Sequence, residues 1–260
     1  MEIKSNNIIN SRGVNISTIF ISSLIVVPLV ALLLSVLKID LNNFYYLWDN
    51  LLIDYSLNTL YLVLLTSFFS LIFGIFPAWF ISTSKFKGRN LYDIILYLPL
   101  AIPTYIMAFT YSDVLSYTGP IQSFSRKYMP EISNILNQDY LQIEVLAIIM
   151  GLALYPYIYT ACRISFSLVG SNYVDLCRNL GMSQMKTFFK IILPISRVAI
   201  FSGLFLVIME VLNEYGAVKY FGVNTFTSGI FRSWYSMQDV DTASCLLYTS
   251  PSPRDGLLSR

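Results

Sequence analysis

The uncharged stretch Ser56–Ser84, SLNTLYLVLLTSFFSLIFGIFPAWFISTS, decides what kind of protein this chain is. It is longer than the roughly 20 apolar residues that a helix needs to cross the hydrocarbon core of a bilayer. Inside lipid each backbone N–H and C=O group must be paired within the segment itself. The stretch is therefore predicted to be a transmembrane helix.

The composition of the whole chain gives the same answer. Only 12% of its 260 residues are charged, and the mean hydropathy is +0.61. Ordinary soluble domains carry about 25% charged residues, so a soluble fold could not cover its surface. Three Cys exclude a disulfide scaffold, and the net charge of +2 without a basic run argues against nucleic acid. The composition predicts a polytopic protein whose surroundings are a lipid membrane.

Four more apolar segments support an all-α bundle of about five transmembrane helices. They are Gly13–Leu37, Ile94–Ser112, Val145–Cys162 and the shorter Val198–Met209. The last spans only if its helix begins near Pro194 and includes Glu210. Prolines inside or beside the spans predict bent helices around a cavity; they are Pro28, Pro77, Pro99, Pro103, Pro156 and Pro194.

Charges between the spans predict their orientation, because Lys and Arg accumulate in cytoplasmic loops. Basic residues fall in alternate connections: Lys4 and Arg12, then Lys85, Lys87 and Arg89, then Arg163, Arg178, Lys186, Lys190 and Arg197. The intervening connections are mainly acidic. We therefore expect residues 1–16 to be cytoplasmic and residues 17–56 to hold the first helix and an outer loop.

The end of the chain, Cys245–Arg260, reads CLLYTSPSPRDGLLSR and breaks sharply with the aromatic-rich segment before it. A back-translation of this stretch resembles the adapter of transposase-based sequencing libraries. We therefore expect residues 245–260 to be non-native, and the natural protein to continue past Ser244.

The most informative connection is the predicted cytoplasmic loop at about 163–197. Its pattern predicts two short helices: Asn172 can cap the first, Gly181 can end it in a left-handed conformation, and Ser183 can cap the second. Pro194 disfavours helix at the residue before it and predicts a bend there. One face of the second helix is apolar: Met185, Phe188, Phe189 and Ile192. Such an exposed face is typical of a docking site for a cytoplasmic protein, and contact with the membrane surface is the alternative.

This loop resembles the EAA loop of ABC-transporter permeases, E-A-A-x-x-x-G-x9-I-x-L-P. The chain has Asp175-Leu-Cys-Arg-Asn-Leu-Gly181, nine residues, then Ile191-Ile-Leu-Pro194. The spacing from Gly181 to Pro194 matches in full. The triplet differs, because Asp175 keeps the acid but Leu and Cys replace the two alanines.

Further segments are similar to ferric-iron permeases, over about Asn58 to Ser244. They are LPLAIPTYIMAF at 98–109, TGPIQ at 118–122, LYPYIY at 154–159, EVLNEYG at 210–216 and YFGVNTFTSGI at 220–230. The resemblance implies a type-I ABC importer permease fold in a bacterial inner membrane. Residues 57–244 would then be an incomplete permease domain that pairs with a second permease half, fused or separate.

The resemblance also implies partners and a mechanism. A periplasmic solute-binding protein would deliver the substrate, and ABC ATPase subunits would bind ATP and Mg²⁺ and drive alternating access. The implied coupling residues are Asp175, Arg178, Gly181, Met185, Phe188, Phe189, Ile191, Leu193 and Pro194. The chain itself has no P-loop, no His and no G-x-S-x-G elbow, so we expect neither an ATPase nor another enzyme.

Candidates for the substrate pathway are Glu210, Tyr155, Tyr157 and Tyr159. An acid within a span is a functional candidate, and carboxylate and phenolate oxygens suit ferric iron. Alternatives are a permease for thiamine, phosphonate, sulfate or polyamine, or a membrane-embedded enzyme or assembly factor. The sequence alone does not identify a resident metal site.

Overall fold

The computed structural model describes residues 11–36, 52–84, 86–128 and 140–249. Within these ranges the regular elements are helices, with no strand, which confirms the all-α prediction. The helices are α1 Ser11–Val36, α2 Leu52–Thr83, α3 Arg89–Ile95, α4 Thr104–Leu115, α5 Pro120–Tyr128, α6 Ile143–Asn179, α7 Gln184–Thr187, α8 Leu193–Ile195, α9 Arg197–Asn213, α10 Gly216–Tyr220, α11 Phe226–Phe231 and α12 Val240–Thr249. A 3-10 turn, Leu98–Ala101, and two π turns, Phe188–Ile192 and Arg232–Ser236, complete them.

The chain divides into two compact units. The first contains α1 and the segment from Ile230, including α12, which packs against α1. The second runs from Leu51 to Gly229 and holds α2 to α10. It contains every predicted site residue.

Helix α6 is the centre of the second unit. It packs along α2 and α9, and its Leu146, Met150 and Ile158 are fully buried. Polar Thr66 and Ser70 of α2 are buried as well. Small side chains at such an interface let two helices approach closely, because between lipid-embedded helices packing replaces the hydrophobic effect.

The predicted span Ile94–Ser112 is broken, whereas Val198–Met209 lies within one helix, α9, that begins after a sharp bend. Helix α3 and its 3-10 turn meet α4–α5 at 96°, and the segment Gln184–Ile195 meets α9 at 71°. The predicted helix over Ile94–Ser112 is therefore wrong as a single element. Ile102 is extended, with φ −108° and ψ 120°. A residue before proline is disfavoured in the helical region, and Pro103 follows Ile102.

Two described helical segments, Leu52–Thr83 and Ile143–Leu168, are long and apolar enough to cross a membrane. Each bent pair can form one more crossing, which gives up to four. In α1 the described apolar stretch, Ser17–Ala31, is shorter than a full span. A fifth crossing by α1 stays a prediction.

The prediction that a new helix begins at Asn172 is wrong. Helix α6 runs without interruption from Ile143 to Asn179. Residues 169–172 contain no proline, so each backbone N–H can continue the helical ladder, and the capping tendency of Asn172 is not used.

The contact between α6 and α9 depends on Gly203. A Cβ at this position would lie 2.8 Å from Ile158 Cα and 3.2 Å from the Tyr157 carbonyl oxygen. Both atoms belong to the backbone of α6, so they cannot move aside as a flexible side chain could. We expect Gly203→Val to destabilise the protein by about 1–3 kcal/mol, the usual cost of overpacking.

The matched control is Ser202→Val, which adds the same side chain at an exposed position of the same helix. Thermal unfolding in detergent measures both variants. A midpoint for Gly203→Val equal to that of Ser202→Val would contradict the close approach of α6 and α9.

Candidate functional sites: a coupling segment and a membrane cavity

The end of α6 has the turn that the sequence predicts. Gly181 has φ +74°, and the Met182 N–H donates to the Cys177 carbonyl oxygen at 2.9 Å. This is the bond of a Schellman motif, which closes a helix through a left-handed residue. A Cβ on Gly181 would have no atom of the described residues within 4 Å. Glycine is needed here for the backbone conformation and not for space.

The next helix begins as predicted at Ser183. The hydroxyl oxygen of Ser183 accepts the Lys186 N–H at 3.4 Å. After α7 the chain forms the π turn, in which the Leu193 N–H donates to the Phe188 carbonyl.

The bend predicted at Leu193 lies three residues later. Leu193 is helical, with φ −62° and ψ −48°, and the helix breaks at Ser196, with φ −86° and ψ 6°. A proline normally clashes with the carbonyl one α-helical turn before it. The wider π turn displaces that carbonyl, so Pro194 continues the helix instead of ending it.

We call the helical stretch Gln184–Ile195 the coupling segment, and its predicted apolar face has two halves. Phe188 is 1% exposed, with its ring centroid 4.6 Å from that of Trp79, and Ile192 is 3% exposed. Met185 and Phe189 are each 52% exposed. Each pair is four residues apart along the chain. Phe188 and Ile192 anchor the segment to the bundle, whereas Met185 and Phe189 remain available to a partner.

The other predicted coupling residues vary in exposure. Ile191 and Leu193 are half-buried, and Pro194 is exposed. Asp175 and Arg178 belong to the last turns of α6, but their side chains lie outside the described part of the structure.

Two phenylalanine variants separate anchoring from docking. Phe188→Ala removes a buried ring and should cost about 3–5 kcal/mol of folding free energy. Phe189→Ala should cost only about 0.5–1.5 kcal/mol, from the edge-on contact between the Phe189 and Phe188 rings. It should weaken association with an ATPase subunit by about tenfold, as loss of an interface anchor does. Thermal unfolding and pull-down of the cognate ATPase measure the two effects. Equal losses of stability, or equal losses of ATPase association, in the two variants would contradict the assignment of Phe188 to anchoring and Phe189 to docking.

The turn at Gly181 gives a second prediction. Gly181→Val places a β-branched residue at positive φ, at a cost of about 1–3 kcal/mol. We expect it to lower uptake per ATP hydrolysed, because the strain reorients α7 relative to α6. Gly222→Val is the matched control, since Gly222 has φ +68° and a Cβ there would likewise have no described atom within 4 Å. The coupling role would be wrong if both variants transported equally well.

A cavity of about 260 Å³ lies where the predicted span Ile94–Ser112 is interrupted. Residues from the segment 99–105 form one wall. Leu154 and Tyr157 of α6 form a second, and Glu210 and Glu214 at the end of α9 form a third. Among the described residues that line it, two are acidic and none is basic. The formal charge of the described lining is therefore entirely acidic.

The two carboxylates differ in how they are held. Glu210 lies in the last turn of α9 and is exposed. Glu214 follows the helix, and its Oε1 accepts the Ala217 N–H at 2.9 Å. Glu214 thus caps α10, which packs on α4. The sequence analysis did not identify Glu214 as a cavity residue. Its position four residues after Glu210 could have indicated it, because side chains at that spacing are neighbours on a helix.

The three predicted tyrosines separate onto two faces of α6. Tyr157 lines the cavity with Glu210. Tyr155 donates its hydroxyl to the Leu96 carbonyl oxygen at 2.9 Å, and Tyr159 donates to the Asp93 carboxylate. Residues four apart share a helix face, while the residue between them faces away. Only Tyr157 of the three belongs to the cavity.

The described residues include no group of three or more His, Cys, Asp or Glu placed to hold a metal ion. The cavity lining includes two carboxylates, the two phenols of Tyr105 and Tyr157, and the hydroxyl of Thr104. That donor set can contact a passing cation through oxygen atoms.

Comparison with known proteins identifies the family. Residues 70–251 match the model of the family described as binding-protein-dependent transport system inner membrane component. The chain belongs to this family. It is a permease subunit of an ABC importer and a multi-pass inner membrane protein.

The permease is similar to relatives with different cargoes. It is 25% identical over 213 residues to the sulfate transport system permease protein CysT of Salmonella typhimurium, covering 80% of this chain and 73% of that one. It is also 25% identical over 189 residues to the Fe(3+)-transport system permease protein FbpB 2 of Haemophilus influenzae. That match covers 73% of this chain and 33% of the relative.

A solved structure supports the fold. The permease matches a chain from the crystal structure of a bacterial alginate ABC transporter in complex with an alginate pentasaccharide-bound periplasmic protein. The TM-score is 0.72 at 18% identity, over 92% of this chain and 90% of that chain. The permease fold predicted from the sequence is thereby confirmed, while ferric iron as the cargo is not.

Proposed function

We propose that this permease carries ferric iron from a periplasmic binding protein to the cytoplasm. The observation that supports iron is the acidic cavity, in which Glu210 and Tyr157 share the lining with Glu214. Ferric iron is a hard cation, and hard cations prefer carboxylate and phenolate oxygen over softer ligands. A short set of oxygen donors also suits transport, since a cargo must bind well enough to enter and weakly enough to leave.

An oxyanion cargo fits this cavity less well. Two like charges 4 Å apart repel by about 4 kcal/mol at an effective dielectric constant of 20. Sulfate would meet Glu210 and Glu214 without a basic side chain among the described lining residues. Sulfate remains the second candidate because CysT is among the similar proteins.

In the proposed cycle the energy comes from a partner. Two ATPase subunits bind ATP and Mg²⁺ and dock on the surface formed by Met185 and Phe189, on the cytoplasmic side. A second permease half completes the pathway across the cavity. The orientation that places residues 1–16 in the cytoplasm is part of this proposal and rests on the distribution of Lys and Arg.

The proposal is tested by Glu210→Gln in the complete transporter. Uptake of labelled ferric iron should fall about tenfold, since a contact with a charged group contributes about 1.5–3 kcal/mol. Uptake is measured in cells that lack their own transporters, with labelled ferric iron and labelled sulfate in parallel.

Glu144→Gln is the matched control. Glu144 is exposed in the first turn of α6, where its Oε1 accepts the Tyr61 hydroxyl at 3.2 Å, and it does not line the cavity. It should leave iron uptake near the wild-type rate. The iron proposal would be overturned in favour of an oxyanion if the unmodified transporter took up sulfate and Glu210→Gln increased that uptake.

A further inference from the structure

A polar cluster lies beside the cavity, on the face of α6 that Tyr157 does not occupy. Tyr155, Tyr159 and Arg163 are spaced four residues apart on α6, so they share one face of the helix. All three reach the same short segment, residues 93–97, which lies directly before the 3-10 turn. We call this set of contacts the Asp93 clasp.

The centre of the clasp is the Asp93 carboxylate. One of its oxygens accepts the Tyr159 hydroxyl, and the other lies 3.4 Å from Nη2 of Arg163. The Tyr159 side chain is fully buried, while the side chains of Arg163 and Asp93 are 18% and 27% exposed. The Nε of Arg163 is buried and has no hydrogen-bond partner among the described residues. The Asp93 carboxylate is therefore the main group that balances the charge of the partly buried Arg163 guanidinium.

Two further contacts extend the clasp toward the cavity. The Tyr97 ring stands edge-on to the Tyr159 ring, with 5.1 Å between centroids. Tyr155 donates to the Leu96 carbonyl at 2.9 Å. The next residues along the chain, from Pro99 onward, form a wall of the cavity. A second wall contains Tyr157, which belongs to the same helix as the donors of the clasp.

We propose that Asp93, held by Tyr159 and Arg163, is a positioning residue that fixes the 99–105 wall of the cavity relative to α6. Helix α6 then contributes to two walls of the cavity. One of its faces carries Tyr157, and another face holds the 99–105 wall in place through the clasp. Asp93 does not touch the cargo. Its effect on uptake rests on the proposed function, whereas its effect on the wall does not.

The wall is measured directly by cysteine labelling. Leu100 lines the cavity and is 47% exposed, so Leu100→Cys gives an accessible thiol. Cys162 and Cys177 are buried, and the parent protein supplies the background rate. The probe is N-ethylmaleimide, which is uncharged, so Glu210 neither attracts nor repels the reagent. We expect Asp93→Asn to change the labelling rate of Leu100→Cys by about two- to thirtyfold, the range of coupling through a packed network.

Three controls separate positioning from general damage. Asp93→Glu keeps the charge and should restore most of the original labelling rate. Asp113→Asn removes an exposed carboxylate on α4 and should have no effect. Ile121→Cys on α5, 44% exposed, should label at the same rate with or without Asp93→Asn.

The outcomes distinguish this proposal from the iron proposal. An unchanged rate at Leu100→Cys in Asp93→Asn, or equal changes at Leu100→Cys and Ile121→Cys, would overturn the positioning role. If Asp93→Asn does not fold, Tyr159→Phe is used instead, because it removes only the hydroxyl that Asp93 accepts. The labelling rates at Leu100→Cys and Ile121→Cys are then compared in that variant. For uptake we expect Asp93→Asn to raise KM more than it lowers the maximal rate. Failure of ferric uptake in the unmodified transporter overturns the iron proposal and leaves the labelling result standing.

Discussion

Backbone polar groups inside a membrane need partners, and this constraint shapes the site. In the 3-10 turn the Leu100 N–H donates to the Tyr97 carbonyl at 3.1 Å, instead of to Leu96 as an α-helix would require. The Leu96 carbonyl is then released from the ladder, and the Tyr155 hydroxyl satisfies it at 2.9 Å. Non-helical backbone at membrane depth is tolerated where protein supplies such a partner or where it lines a cavity. Here the break meets both conditions.

The same break makes the cavity possible. Pro99 and Pro103 lack N–H groups, so the chain between them cannot complete a helical ladder. A continuous helix would fill this region with its own side chains. The interrupted chain instead turns by 96° and leaves space that Tyr157 and Glu210 also border. Irregular backbone and acidic lining are therefore two aspects of one feature.

The sequence predicts the helices well because the lipid constraint acts on composition, which is local. It also predicts the Gly181 turn and the Ser183 cap, since both are decided within a few residues. It does not predict the continuity of α6 through Asn172, because a possible cap is used only when the preceding helix ends. Nor does it identify Asp93, whose importance depends on residues 66 and 70 positions later in the chain. The tyrosine cluster was separable in principle, because a spacing of two residues on a helix places side chains on opposite faces.

The continuity of α6 links the two sites physically. From Tyr157 to Asn179 the helix extends about 33 Å at 1.5 Å per residue. An interruption at Asn172 would have placed a joint between the cavity and the coupling segment, and motion at one end would have been absorbed there. Helix α6 has no such break between Tyr157 and Asn179, and it ends at the Gly181 turn. The buried Phe188 then fastens the coupling segment back onto α2 and α6, through Trp79 and Phe166. The segment that carries Met185 and Phe189 is thereby packed against the helix that carries both Tyr157 and the donors of the Asp93 clasp.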